Sequence, residues 1–204
     1  MYLPQHFKEE RPEVLHALMR SHPLAALVTY GPRGIEANHL PLLADAEKGL
    51  LRGHLARANS QWQGLEPAAE AMAIFQGPNA YVSPNWYPTK QEHGRVVPTW
   101  NYAVVHVWGE LTVYHEADRL LAFLEQLTAE HEVSEAQPWR PGDAPSSYTE
   151  GLLRAIVGIE LRVTRMEGKW KMSQNQPSAN REGTAEAFER LERDDISRLI
   201  RGQR

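Results

Sequence analysis

The chain has 204 residues, 42% of them hydrophobic and 24% charged, which fits one globular domain of moderate size. It contains no cysteine, which excludes a disulfide framework, an iron–sulfur cluster and a thiol nucleophile. The net charge of −4 and the pI of about 6.1 argue against a dedicated DNA-binding domain, which is usually strongly basic on one face. Because we find neither a signal-peptide core nor an apolar stretch of membrane-spanning length, we expect a soluble cytoplasmic protein with no membrane partner.

The first part of the chain is predicted to contain one helix and several short strands. The helix begins near Arg11 and ends at Pro23, which cannot continue it. Alternating apolar runs bounded by turn residues predict strands over residues 25–30, 35–43, 50–55 and 71–75, the last resuming at 80–83 after Gly77-Pro78. A short helix is expected around residues 60–65, with Asn59 or Ser60 as its N-cap.

The second part begins with a long polar loop, predicted over residues 84–101. A strand follows over 102–114, because every second residue is apolar: Ala103, Val105, Val107, Gly109, Leu111 and Val113. The spacing of the leucines predicts a helix over 116–131, and a further helix and strand are expected over 149–156 and 157–163. A C-terminal helix is predicted over about 184–203, with these residues facing inward: Phe188, Leu191, Ile196, Leu199 and Ile200.

This order of elements predicts a mainly β protein of the α+β class. Six or seven short strands joined by hairpin turns do not follow the alternating strand–helix order of a doubly wound sheet. We therefore expect a small antiparallel β-barrel with peripheral helices, formed by residues 1–204 as a single domain, with the C-terminal helix packed on it.

Most common catalytic and metal-binding motifs are missing from the sequence. The nine histidines include no HExxH pair, and His39, His54 and His106 on three predicted strands have no carboxylate at short spacing, so we predict no metal site. GxSxG, GxGxxG and Walker A sequences do not occur, and no catalytic residue is assigned.

Arg57 is the first binding candidate, within "GHLARANSQW" (Gly53–Trp62). It follows a predicted strand and precedes a short helix, where a guanidinium beside free helix N–H groups can bind a phosphate. The alternative is an ordinary surface arginine at a strand–helix junction. Spacing alone does not decide between the two.

The second candidate is the aromatic region that contains Trp86, Tyr87, Trp100, Tyr102 and Trp108. These rings can fill a dimer interface, or they can line the pocket of a planar ligand. In the second case, Thr99 and Asn101 would supply hydrogen bonds to the edge of the ligand.

The third candidate is the polar segment "GKWKMSQNQPSANREG" (Gly168–Gly183), in which Lys169, Lys171 and Arg181 flank Ser173-Gln174-Asn175. A solvated loop and a binding segment for an anionic, polar-edged ligand are both compatible with it. The C-terminal helix has balanced charges, which makes it a poor DNA-recognition helix.

Six motifs together resemble the PaiB-type family of FMN-binding negative transcriptional regulators: "MYLPQHF", "NHLPLL", "GHLARANSQW", "FQGPNAYVSPNWY", "VPTWNYAVVHVWG" and "KMSQNQPSANREG". The resemblance covers Met1 to about Gly183, with the motifs in the family's order and spacing. It implies an FMN-binding split β-barrel, a homodimer, and FMN held near the subunit interface. It also implies a role in transcription, which we expect to be indirect because direct DNA binding is doubtful. The alternative is a small FMN-dependent oxidoreductase.

The resemblance also implies which residues contact FMN. The phosphate would lie against the strand–turn that contains His54, Ala56 and Arg57, and the flavin ring against the strand that contains Asn38, His39 and Leu40. The pocket would be completed, partly from the partner subunit, by Thr99, Trp100, Asn101, Lys171, Ser173, Gln174 and Asn175. In the related pyridoxamine-phosphate oxidases a lysine generally follows the matching arginine, whereas Ala58 occupies that place here. We expect either weaker FMN binding or compensation by Lys169, Lys171 or Arg181.

Overall fold

The structure is a computed structural model that describes residues 1–202. Its helices are α1 (Pro12–Ser21), α2 (Thr89–His93), α3 (Ala117–His131), α4 (Ser146–Arg154), α5 (Ser178–Arg190) and α6 (Asp194–Ile200). Its strands are β1 (Lys8–Glu9), β2 (Leu24–Gly31), β3 (Gly34–Pro41), β4 (Leu43–Asp45), β5 (Leu50–Ala56), β6 (Ala69–Val82), β7 (Thr99–Tyr114) and β8 (Ile156–Lys171). Short 3₁₀ helices lie at Gln5–Phe7, Ser60–Trp62, Pro84–Trp86 and Pro141–Asp143.

The strands form one sheet in the order β3-β2-β6-β7-β8-β5-β4, and β1 pairs with β8. Every pair whose register is defined is antiparallel. β2 and β3 form the predicted hairpin, in which Tyr30 lies opposite Ile35 and Gly34 has a φ of 91°. A glycine fits this position because its lack of a Cβ permits positive φ.

The chain divides into two compact units. The first contains Met1–His22, Phe75–His106 and the described residues from Glu167 onward, and the second contains Pro23–Ile74 and Val107–Met166. In the first unit the largest fully buried side chains are Met19, Phe75, Phe188, Met172, Ile196 and Ile200. In the second they are Leu27, Leu51, Leu120, Phe123, Ile159 and Leu161. The single-domain assignment stays a prediction.

The apolar face of β7 is buried from residue 103 to residue 111, as its alternation predicts, whereas Val113 at its end is half-buried. Ala103, Val105 and Val107 are 0% exposed, and Leu111 is 3% exposed. Gly109 on the same face approaches β8 so closely that an added Cβ would lie 2.3 Å from the carbonyl oxygen of Arg162. A side chain at this position is therefore excluded by the backbone of the neighbouring strand.

Parts of the predicted element pattern are wrong, including the break at Gly77-Pro78, through which β6 continues, and the end of the last strand at residue 163, which β8 passes to reach Lys171. The predicted loop 84–101 contains a 3₁₀ turn and α2, and β7 already begins at Thr99. The predicted C-terminal helix is two helices, because Glu192 adopts a φ of 57° and so ends the helical conformation between α5 and α6. Leu191 at this break is 58% exposed instead of facing inward. The predicted helix end at residue 203 lies outside the described residues.

Candidate functional site

In the first unit, the structure joins two of the predicted binding segments. Lys171 at the end of β8 donates hydrogen bonds from Nζ to Thr99 Oγ1 and, at 2.7 Å, to the carbonyl oxygen of Trp100. Burial, and then the positive charge of Lys169, lowers the pKa of Lys171. The start of β7 and the end of β8 therefore form one polar cluster, although the two segments lie far apart in the sequence.

Asn101 and Ser173 form the buried part of this cluster. Asn101 Nδ2 donates to Ser173 Oγ at 3.0 Å, and the two side chains are 0% and 3% exposed. Ser173 Oγ also lies 3.2 Å from Asn101 Oδ1, to which it can donate. Each side chain therefore satisfies hydrogen-bonding groups of the other in the protein interior. The pair holds the start of β7 beside the end of β8.

We expect single substitutions of this pair to be costly and the double substitution to be less than additive. Asn101→Leu or Ser173→Ala should each lower the free energy of unfolding by about 1–3 kcal/mol, because each leaves a buried polar partner unsatisfied. The loss of unfolding free energy in the double variant should be about 1 kcal/mol smaller than the sum of the two single losses. Urea denaturation measures all three, with the exposed Ser147→Ala as control. Additive losses would contradict the pairing.

Gln174 and Asn175 follow this pair in the turn after β8. The Gln174 side chain accepts a hydrogen bond from the Met172 backbone N–H at 2.7 Å and donates to the Trp170 carbonyl oxygen at 2.5 Å. It thus braces the turn itself, whereas the neighbouring Asn175 is exposed. Arg181, near the end of the predicted segment, lies in α5. It donates a hydrogen bond at 2.9 Å to the carbonyl oxygen of Ile200 and so joins α5 to α6.

In the second unit, Arg57 lies directly after β5 and binds three partners. Nε donates to the carbonyl oxygen of Arg154 at 2.8 Å, and Nη2 donates to that of Ile156 at 2.8 Å. Nη1 lies 3.3 Å from His115 Nδ1. A guanidinium has five N–H groups, so two remain for a ligand. Arg57 is therefore both a structural residue and a cation that can bind an anion.

The short helix after Arg57 is capped as predicted. Asn59 Oδ1 accepts from the Gln61 N–H at 2.8 Å, and Gln61, which is 1% exposed, donates to the Leu27 carbonyl oxygen at 2.8 Å. Asn38 Nδ2 donates to Gln61 Oε1 at 2.9 Å. Gln61 thus holds Asn38, one of the residues predicted to contact the flavin ring, in a defined orientation.

The other predicted residues of the second unit differ in their exposure. Strand alternation on β3 places His39 on the exposed face, whereas the neighbouring Leu40 is 4% exposed and part of the core. His54 on β5 is half-buried, its pKa is lowered by burial, and its Nδ1 has no hydrogen-bond partner within residues 1–202. Ala56 is exposed at the end of β5.

A cavity of about 410 Å³ in the first unit was not predicted as a whole. Its lining residues are Met1, Tyr2, Gln76, Asn79, Trp100, Tyr102, Val104, His106 and Lys169. From the sequence, the aromatic residues of β7 already indicate a pocket in this region. Tyr2, Gln76 and Asn79 gave no such signal, because only the fold places them beside β7.

Residues 1–202 offer neither a cluster of metal ligands nor a membrane-spanning helix. No group of three or more His, Cys, Asp or Glu side chains there could hold a metal ion. Over the same residues, no helix has both the length and the apolar character needed to cross a membrane.

Comparison with known proteins identifies the family. A family model described as "Putative FMN-binding domain" matches residues 1–165. The protease synthase and sporulation protein PAI 2 of Bacillus subtilis is 30% identical over 178 residues, covering 86% of this chain and 83% of that protein. The chain belongs to the PaiB-type FMN-binding family.

One further relative of this PaiB-type chain and one solved structure extend the comparison. An uncharacterized protein of Emericella nidulans is 34% identical over 229 residues, covering 94% of this chain and 91% of that protein. The FAD and heme binding protein from Mycobacterium smegmatis has a TM-score of 0.60 at 17% identity, covering 80% of this chain and 73% of that chain. The latter is a likeness of fold alone. The predicted α+β class with an antiparallel flavin-binding split barrel and the assignment of FMN as the family's cofactor are confirmed.

The residues of this PaiB-type chain fit FMN. The cofactor presents a phosphate, a flat ring system and polar ring edges to its protein. After the hydrogen bonds described above, Arg57 of the second unit retains two N–H groups and, separately, Lys171 of the first unit retains one. The Trp100 ring is 49% exposed and meets the Tyr81 ring edge-on at a centroid distance of 6.2 Å, which provides flat apolar area. Ala58 supplies no cation, as the sequence already indicated.

Proposed function

We propose that this protein is an FMN-binding regulatory protein that acts on transcription indirectly, through a ligand, a partner protein or the state of its flavin. The observation that carries the proposal is family membership over residues 1–165, together with cations that keep unused N–H groups on predicted FMN-binding segments. The name of the Bacillus subtilis relative, a protease synthase and sporulation protein, supports a regulatory role.

The proposed FMN contacts divide into three tasks. Arg57 would bind the phosphate through its two unused N–H groups, which leaves its bonds to the Arg154 and Ile156 carbonyl oxygens intact. As the resemblance implies, the pocket would be completed partly from the partner subunit, with Trp100 as a flat surface and Lys171 as a donor for a polar ring edge. FMN, when bound, supplies electron-transfer chemistry, whereas the residues bind and orient it.

Indirect action on transcription follows from the charge of the protein. DNA binding normally depends on a basic surface that neutralises several phosphates, and this chain carries a net charge of −4. Its C-terminal helices contain arginines paired with carboxylates, such as Arg193 with Asp195 at 2.9 Å and Arg201 with Glu182 at 2.6 Å. Those side chains are poorly suited to binding a DNA backbone.

A homodimer is also part of the proposal, and its interface would use the outer face of the β2–β3 hairpin. Leu24, Tyr30 and Ile35 on this hairpin are 63%, 74% and 77% exposed, and Tyr30 pairs directly with Ile35 across the two strands. Tyr30 and Ile35 thus form a contiguous exposed apolar patch near the turn of the hairpin, and such a patch usually marks a protein–protein interface. A second copy of the chain is the occupant that the family resemblance implies.

The double substitution Tyr30→Lys with Ile35→Lys is expected to convert the dimer to a monomer, because it would place four charges in a dimer interface that contains this face twice. Analytical ultracentrifugation at micromolar concentration measures the mass. Val133→Lys, at a residue that is 82% exposed, is the control and should stay dimeric. A dimer that persists in the double variant would place the interface elsewhere.

The proposed function is tested by titrating the purified protein with FMN and following flavin fluorescence and absorbance. We expect saturable binding, together with no sequence-specific retention of promoter DNA at physiological salt. Absence of FMN binding would overturn the proposal. Specific, salt-dependent DNA binding would overturn the indirect mechanism, and steady NAD(P)H consumption with an electron acceptor would favour an FMN-dependent oxidoreductase instead.

A further inference from the structure

The cavity of the first unit contains a buried cation. Lys169 on β8 is 8% exposed and lines this cavity of about 410 Å³. Its Nζ donates to the carbonyl oxygen of Tyr2 at 2.9 Å. The Nζ lies 5.4 Å from the ring centroid of Tyr102 and 5.7 Å from that of Tyr2. Two aromatic rings and one carbonyl therefore surround the ammonium group.

These contacts leave the charge of Lys169 without a counterion. Lysine is almost never buried unless it is paired. Within residues 1–202, Lys169 forms no ion pair, and two of its three N–H groups have no acceptor. The nearby Glu167 carboxylate binds the Met1 ammonium at 2.9 Å. The cavity thus holds a buried positive charge with unused donors, which is the arrangement that an anionic ligand would complete.

The walls of the cavity indicate the shape of that ligand. Trp100, Tyr102 and Val104 lie on one face of β7 and offer aromatic and apolar surface. Gln76 and Asn79 of β6 add amide groups, and Asn79 Oδ1 accepts from Trp100 Nε1 at 3.4 Å. A cavity of this volume is within the usual range for small-molecule sites. Flat apolar walls with a few polar groups suit a planar ring.

We propose that this cavity binds a planar aromatic monocarboxylate, with its carboxylate on Lys169 Nζ and its ring between the aromatic side chains of the cavity. One buried ammonium with two unused N–H groups matches the charge and the two oxygens of one carboxylate. A phosphate ester carries close to two negative charges at neutral pH and would need a second unpaired cation. Burial lowers the pKa of His106, the other basic side chain of the lining, which disfavours its charged form.

The site gives the proposed regulator a small-molecule effector, and in this sense it rests on the proposed function. Binding itself can be tested without FMN. Trp100 belongs both to this cavity and to the proposed FMN contacts, whereas Lys169 lines the cavity and enters the FMN prediction only as one of three cations that would compensate for Ala58. Substitution of Lys169 therefore separates the two ligands.

The test is isothermal titration of the full chain with 2-naphthoate and, as a neutral probe of equal shape, 2-naphthamide. We expect 2-naphthoate to bind at least tenfold more tightly than 2-naphthamide. Lys169→Met should lower the affinity for 2-naphthoate at least tenfold, whereas Lys90→Met, an equal charge change at an exposed lysine, should not alter it. Equal binding of the two probes by the wild-type chain would overturn the proposal, and this comparison needs no variant to fold.

A second titration with FMN distinguishes the proposals from each other. If the Lys169→Met variant loses binding of 2-naphthoate but keeps binding of FMN, the cavity is a separate effector site. If FMN displaces 2-naphthoate and Lys169→Met loses both, the cavity is the flavin pocket and the effector proposal is overturned, although FMN binding stands. If FMN never binds while 2-naphthoate does, the proposed function fails and the carboxylate site remains.

Discussion

Arg57→Ala is expected to weaken FMN binding at least tenfold. A charge-assisted hydrogen bond to a phosphate contributes about 1.5–3 kcal/mol, and the substitution removes the only cation in this strand–turn segment, where Ala58 follows. Because Arg57 also bonds to the Arg154 and Ile156 carbonyl oxygens, the same substitution should reduce stability. The dissociation constant must therefore be measured under conditions where the variant is folded.

Two further variants separate these effects. Arg57→Lys keeps the charge but loses the planar set of donors, so it should keep part of the FMN affinity while losing internal hydrogen bonds. Arg190→Ala removes an exposed arginine with no expected role and should leave both the FMN affinity and the stability unchanged. An Arg57→Ala variant that is less stable but binds FMN with unchanged affinity would show that Arg57 is structural alone.

Gly109→Ala is expected to lower the free energy of unfolding by about 3 kcal/mol or more, which is at the upper end for overpacking. The added Cβ would meet backbone atoms of Arg162 and the side chain of Leu161, and a backbone in mid-sheet cannot move aside. Urea denaturation measures the loss. Gly151→Ala is the matched control, because it has open space in α4 and should be stabilising by about 0.5–1 kcal/mol. A Gly109→Ala variant within 1 kcal/mol of wild type would contradict the close approach.

The elements that sequence predicts correctly are those set by local periodicity. The leucines of α3 repeat at helical spacing, and the apolar face of β7 repeats at every second residue, so each pattern is complete within its own segment. The same holds for the β2–β3 hairpin, whose turn residues lie between its two strands. These elements needed no information from elsewhere in the chain.

Elements that depend on distant partners were predicted less well. Gly77-Pro78 looked like a break, yet β6 continues through it, because Gly77 leaves room for Leu18 of α1, whose Cδ1 would lie 2.8 Å from an added Cβ. Thr99 and Trp100 looked like loop residues, because their partner is Lys171 at the far end of β8. The environment of a residue in a sheet is set by its neighbouring strand, which sequence proximity does not reveal.

The candidate site shows the same division. The family resemblance selected both Asn101 and Ser173 but did not show that they satisfy each other in the interior. Arg57 was recognised as a cation, whereas its bonds to two backbone carbonyls needed the structure. Sequence marks Lys169 as a cation of a polar segment that could compensate for Ala58, but it does not show that Lys169 is buried beside Tyr2 and Tyr102.

The pairing of β1 with β8 has a consequence for biosynthesis. Lys8 pairs with Lys169, so β1 cannot pair until the chain has been synthesised through Lys169. At ordinary translation speeds this delay is roughly 10–30 s. During that interval the apolar residues that follow β1, including Leu15, Leu18 and Met19 of α1, lack their final environment. The apolar face of α1 is therefore expected to depend on chaperones until β8 has been synthesised.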